Sequence, residues 1–131
     1  MIFEPSYTEE FYKKLAYLFY SIAMADKKMV VDEKRKIVAY VEKYWMVSLE
    51  STNSAEIIYE TLRVLIKEKV SSEEAFQIFK TYFNENPQKF PLEINKKLME
   101  TIDSIAISAS RRNKSELVLL TKTHKLLFKD P

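Results

Sequence analysis

The stretch SIAMADKKMVVDE at Ser21–Glu33 returns in altered form as SIAISASRRNKSE at Ser104–Glu116, at a constant offset and without a gap. Ser-Ile-Ala opens both copies, and Glu33 and Glu116 close them. In each copy an apolar run gives way to a polar segment and then to an acidic residue. A carboxylate there suits a helix N-terminus, whose unpaired N–H groups carry partial positive charge. The pattern reads as a helix–loop–helix unit used twice. It predicts a pseudo-twofold scaffold with two equivalent loops, and those loops are the first places to look for function.

Helical spacing extends outward from the repeat on both sides. Ser6-x-x-Glu9 reads as a capping box that opens a first helix to about Ala25, with Phe11, Leu15, Leu18, Ile22 and Ala25 on one face. Phe19 and Ala23 make its other side apolar as well, as expected of a central helix. Asp32 is the expected N-cap of a second helix reaching Trp45, with Ile37, Val38, Val41 and either Tyr44 or Trp45 facing inward. The polar run Ser51–Ser54 opens a third, carrying Ile57, Ile58, Leu62, Leu65 and Ile66.

Ser71-x-x-Glu74 is a second capping box, followed by Phe76, Phe79, Tyr82 and Phe83. Asn84–Phe90 reads as a loop, and Pro91 suits the first turn of the next helix, because its missing N–H has no partner there anyway. That helix carries Ile94, Leu98, Ile102, Ile105 and Ala109. Ser115 is the expected cap of a last one with Val118, Leu119, Leu126 and Leu127. Short apolar runs at 64–66 and 117–120 are locally ambiguous, but no alternating strand pattern survives. The expected fold is an all-α bundle of about six helices, formed as a single domain over residues 1–131.

Composition narrows the function. Glycine is absent, so no phosphate-cradling P-loop or dinucleotide fingerprint can form, and helices must end without the usual Gly cap. Asn53, Asn84 and Asn86 are the natural substitutes for it. Cysteine is absent too, which removes disulfides, thiol nucleophiles and thiolate metal sites. A mean hydropathy of -0.27 with 47% hydrophobic residues is that of a soluble globule.

The longest apolar run, Leu15–Ala25, is hemmed in by Lys13, Lys14 and Asp26. It spans roughly half a bilayer core, so it reads as a buried helix. The opening MIFEPSYTEEF has no basic n-region. A cytoplasmic protein without a transmembrane segment is expected, and peripheral membrane association stays open.

Net charge is +2 but unevenly spread. Arg111, Arg112, Lys114, Lys122, Lys125 and Lys129 outweigh Glu116 and Asp130 in the last segment, leaving the rest of the chain mildly acidic. The imbalance is too small to imply a nucleic-acid partner.

The run Ala25–Glu33, ADKKMVVDE, resembles the signature of the TerB family, in which Ala-Asp-Gly is followed by a hydrophobic residue and a helix-opening Glu. Asp26 matches the family's Asp, Met29 its hydrophobic position and Glu33 its Glu, whereas Lys27 stands where the family has Gly. In the second copy Ala109 replaces the Asp and Ser110 the Gly, and Glu116 persists. The resemblance implies an all-α fold with two such copies, an association with bacterial tellurite resistance and chemical stress, and acidic loops proposed to bind metal.

The loops support two site readings. Asp26, Asp32 and Glu33 are the candidate metal ligands, because carboxylate oxygens suit a hard divalent cation. An EF-hand is excluded, since Lys28, Val30 and Lys34 fall on ligand positions and the turn glycine is missing. The bland alternative is that Asp32 and Glu33 serve the helix start. Lys27 and Lys28 in the first loop correspond to Arg111 and Arg112 in the second, a candidate anion- or partner-binding set if the repeat brings them together.

His124 is the sole histidine, on the last helix, and no Glu-x-x-His pair exists for a di-iron site. Glu56 and Glu60 share a helix face but read as solvated surface. No catalytic residue, and no cofactor, is expected. The reading is a non-enzymatic interaction or stress-response module with a protein partner. The alternative is a metal- or anion-sensing helical domain.

Overall fold

The computed structural model describes residues 8–25, 31–45, 52–108 and 114–128. Within them the chain forms six α-helices: α1 (Glu9–Ala23), α2 (Val31–Tyr44), α3 (Ser54–Lys67), α4 (Ser72–Glu85), α5 (Leu92–Ser108) and α6 (Lys114–Leu127). A 3-10 turn at Pro87–Lys89 joins α4 to α5, and there is no β-strand among the described residues. The all-α bundle read from the sequence is therefore the fold. Each copy of the repeat spans the end of one helix and the start of the next, α1 to α2 and α5 to α6, with residues 26–30 and 109–113 outside the described residues.

The α1 helix is the hub, packing against α3, α4, α5 and α6, while α2 closes on α3 and α5. Every residue from Leu18 to Ala23 is buried, so the helix is covered all round over its last turns. That is the burial expected of a helix apolar on both sides. One cluster of buried side chains runs through the bundle, from Phe11 and Leu15 on α1 to Ile58, Leu62, Phe79, Leu98 and Ile102.

Several helix ends differ from the sequence reading by a few residues. Thr8 occupies the α1 N-cap without a side-chain bond, and Ser6 lies outside the described residues. Asn53 is not a C-cap but the N-cap of α3, where its side chain accepts from the Glu56 N–H at 2.9 Å. Ser71 caps α4 as the capping box predicts, accepting from the Glu74 N–H at 3.0 Å. The chain is already helical at Asp32 and at Ser115, so neither is an N-cap. Pro91 precedes α5 and its carbonyl takes the first helical bond, from the Asn95 N–H at 3.0 Å. Asn84 lies inside α4, and Asn86 ends it without entering the left-handed region (φ -134).

Ending α3 without glycine falls to Lys69, the one described residue with positive φ (55). The Lys69 N–H bonds the Ile66 carbonyl and the Val70 N–H reaches back to the Leu65 carbonyl, both at 3.1 Å. This is a Schellman closure with lysine where glycine normally sits. The Tyr20 hydroxyl, buried on α1, donates to the Val70 carbonyl at 2.6 Å and lies 3.3 Å from the Leu65 carbonyl. Two residues past Val70, the Ser72 hydroxyl donates to the Ser21 carbonyl at 2.7 Å. Two adjacent residues of α1 thus clamp the α3–α4 turn.

Two further findings depart from the sequence reading. Phe90, placed in a loop, is buried among Phe11, Phe79, Tyr82 and Phe83, with ring centroids 4.7–6.1 Å away. Val118, expected inside, is 47% exposed beside exposed Leu117, because α6 turns Leu119, Leu120, Thr123, Leu126 and Leu127 inward instead. At the other end of that helix, Asn95 Nδ2 donates to both the Phe90 and Leu127 carbonyls, at 3.1 and 3.0 Å, tying the end of α6 to the start of α5.

The clamp and the turn can each be tested by stability. Tyr20→Phe takes the hydroxyl donor from the part-buried Val70 carbonyl and is expected to cost about 1–2 kcal/mol by urea denaturation at neutral pH. Burial raises the Tyr20 phenol above its ordinary value of 10.0. Its contribution is therefore intact below pH 10 and fades as pH rises through the higher folded-state value, so this alkaline loss should be absent in the variant. Lys69→Gly removes the left-handed strain and should stabilise by about 0.5–1 kcal/mol, after allowing for glycine's larger unfolded-state entropy.

Candidate functional site in the α2–α5 cleft

The residues singled out by the repeat fall where the structure describes no side chains. Asp26, Lys27, Lys28, Arg111 and Arg112 lie outside the described residues. Asp32 and Glu33 fall in the opening turn of α2, with side chains outside the described set. Among the described residues no group of three His, Cys, Asp or Glu side chains is placed to hold a metal ion. His124 is exposed in the last turn of α6 with its ring 4.9 Å from that of Phe128. Glu60 pairs with Arg63 at 3.1 Å on the open face of α3, as a solvated acidic residue would.

The described residues do form a cleft of about 580 Å³ between α2 and α5, lined by Tyr40, Tyr44, Lys97, Glu100, Asp103 and Ser104. Beneath Lys97, one of the lining residues, lies Trp45, the chain's sole tryptophan, just past the end of α2. The indole is 4% exposed. Its Nε1–H donates to the Thr101 hydroxyl at 2.8 Å, and that hydroxyl donates onward to the Lys97 carbonyl at 2.8 Å. The Trp45 carbonyl accepts from the buried Ser54 hydroxyl at 2.6 Å, so the start of α3 braces the end of α2. Phe19 meets the indole edge-on at 6.5 Å. A bulky residue at the end of α2 is thereby fixed from three helices.

Lys97 lies over this ring with Nζ 4.4 Å from the centroid, a cation–π contact at close range. Partial burial lowers its pKa from the ordinary 10.5, since desolvation penalises the charged form. On the opposite wall Tyr40 and Tyr44, one helical turn apart, stack with centroids 4.6 Å apart at 41°, and Lys43 Nζ sits 5.2 Å from the Tyr44 ring. Tyr44 is 45% exposed, which settles the inward position at the end of α2 in favour of Trp45. Among the described residues neither Lys97 nor Glu100 forms an ion pair.

This site escaped the sequence reading. Its one local signal is polar spacing on α5, where Lys97, Glu100 and Ser104 recur every three or four residues beside the apolar Leu98, Ile102 and Ile105 stripe. The facing wall comes from α2, far away in the chain, and only tertiary packing brings the two together. No family model, no curated protein and no solved structure matches this chain.

The lowered Lys97 pKa carries a sign that can be checked. Below its folded-state pKa the partly buried ammonium opposes folding, and this cost disappears as pH rises toward the ordinary lysine value of 10.5. Wild-type stability should therefore gain with pH in that window relative to Lys97→Met, measured by chemical denaturation at a series of pH values. An unchanged difference between the two proteins across the window would contradict the burial of this ammonium.

Proposed function

We propose that the chain is a non-enzymatic helical interaction module whose binding face is the α2–α5 cleft. The observation that carries this reading is the cleft itself, a cavity of about 580 Å³ with two tyrosine rings on one wall and charged side chains on the other. Small-molecule pockets are lined mostly by apolar groups with few polar ones. A lining of two tyrosines, three charged residues and a serine suits instead the side chains of a polypeptide, as tyrosine supplies broad amphipathic area at low entropic cost. The buried Trp45, bonded to Thr101 and Ser54 and covered by Lys97, supports such a role by bracing the two walls, since a preorganised surface loses less freedom on binding.

The likeness of Ala25–Glu33 to the TerB signature supports placing this module among proteins of the chemical-stress response, with the two helix–loop–helix junctions read as related copies. Cytoplasmic location belongs to the same reading. Among the described residues, no helix is long and apolar enough to cross a membrane. Metal or anion sensing through Asp26, Asp32 and Glu33, or through Lys27, Lys28, Arg111 and Arg112, is the second reading, and it rests on the sequence pattern alone.

Affinity capture from the cell of origin tests the main reading. A partner retained by the wild type should be lost about tenfold with Tyr44→Ala, an exposed position in the cleft, as for a tyrosine at the centre of an interface. It should be retained by Lys80→Ala on α4, outside the cleft. Equal capture by both variants would place the binding face elsewhere.

A further inference from the structure

We infer that the outward face of α6 rests on an anionic lipid surface, with Leu117 and Val118 entering the headgroup boundary and the surrounding cations facing the lipid charges. This face is separate from the α2–α5 cleft, and the inference does not depend on what the cleft binds.

The buried side of α6 is complete without these two residues. Leu119, Leu120, Thr123, Leu126 and Leu127 face the core, while Leu117 and Val118 are 46% and 47% exposed. Among the described residues they are the one pair of exposed large hydrophobics that adjoin in the chain. Helical spacing sets Thr121 on the arc between them. Its hydroxyl donates to the Leu117 carbonyl at 2.9 Å, so covering this arc leaves no threonine donor unpaired.

Cations bracket the apolar pair. Lys122 and Lys125 follow it on α6, both exposed and without an ion pair among the described residues. In the sequence Arg111, Arg112 and Lys114 precede the pair and Lys129 follows the helix, against Glu116 and Asp130 alone. The rest of the chain is mildly acidic, so its positive charge is gathered on this segment. Clusters of roughly four to eight Lys/Arg are what an anionic leaflet attracts. Lysine stems also let ammonium groups stay at headgroup level while apolar neighbours sit deeper.

A nucleic acid would meet the same cations, but its phosphates offer nothing to an exposed leucine and valine. The boundary between headgroups and acyl chains accepts both kinds of group at once. Among the described residues no helix is long and apolar enough to cross a membrane, so the contact is one of α6 lying along the surface.

Co-flotation of the full chain tests this with vesicles of phosphatidylcholine alone and of phosphatidylcholine mixed with phosphatidylserine. The chain should float with the mixed vesicles only, and added salt should weaken the association. Leu117→Gln combined with Val118→Gln is expected to weaken it about tenfold by removing the apolar contact. Lys122→Gln combined with Lys125→Gln should also weaken it about tenfold, by withdrawing two charges from the surface. All four positions are exposed, and an unchanged thermal midpoint confirms that both variants fold. Tyr44→Ala, in the cleft, should float as the wild type does.

No flotation with either vesicle, or equal flotation with both, would overturn the inference. Flotation indifferent to the Leu117 and Val118 changes would overturn it too, leaving a bare charge contact. A DNA duplex that strips the chain from the mixed vesicles, and binds equally well without Leu117 and Val118, would overturn it in favour of nucleic acid.

Discussion

The Tyr20 hydroxyl bonded to the Val70 carbonyl at 2.6 Å is the contact on which the arrangement of the bundle depends. A chain without glycine must still reverse direction between α3 and α4, and it does so by putting Lys69 in the left-handed region. A non-glycine residue there costs about 1–3 kcal/mol unless its surroundings hold it. Tyr20 and the adjacent Ser21 carbonyl supply that hold from the most buried turns of α1. Both α3 and α4 are thereby oriented on the hub, and α3 relays that orientation to α2 and α5. Its first residue, Ser54, bonds the Trp45 carbonyl, and Trp45 bonds Thr101 on α5. The cleft walls are set by this relay, so the candidate site inherits its rigidity from a turn that is not part of it.

Much of the scaffold was legible because apolar spacing and capping are local. Six helices, the central place of α1 and the Ser71 cap follow from patterns within a few residues. The failures share one cause, which is that local signals do not report the neighbour across the core. Tyr44 and Trp45 are equivalent by spacing, and only Thr101 and Ser54 decide for Trp45. Phe90 lies in no periodic segment, yet four aromatic rings converge on it. Val118 follows the apolar pattern of α6 and still faces out, because α5 and α1 cover the other side. Asn53 satisfied two rules at once, and the start of α3 took it.

The candidate site was less legible than the fold, for the same reason. Chemistry was sought at the two loops of the repeat, since acidic and basic residues cluster there in sequence. The cleft draws its six lining residues from α2 and α5, none of them in the polar centre of either copy. Ser104, which opens the second copy, is the one point of overlap. The repeat nevertheless bears on the cleft, because its two copies mark where α2 begins and where α5 ends.

Hydrogen exchange of the chain with and without its captured partner tests the central claim, that the α2–α5 cleft is the binding face of an interaction module. Added protection should fall on residues 40–45 and 97–104, with the α3–α4 turn already protected in the free chain by the Tyr20 clamp. Protection confined to residues 26–30 and 109–113, or to the exposed face of α6, would contradict it and return the function to the loops of the repeat or to another surface.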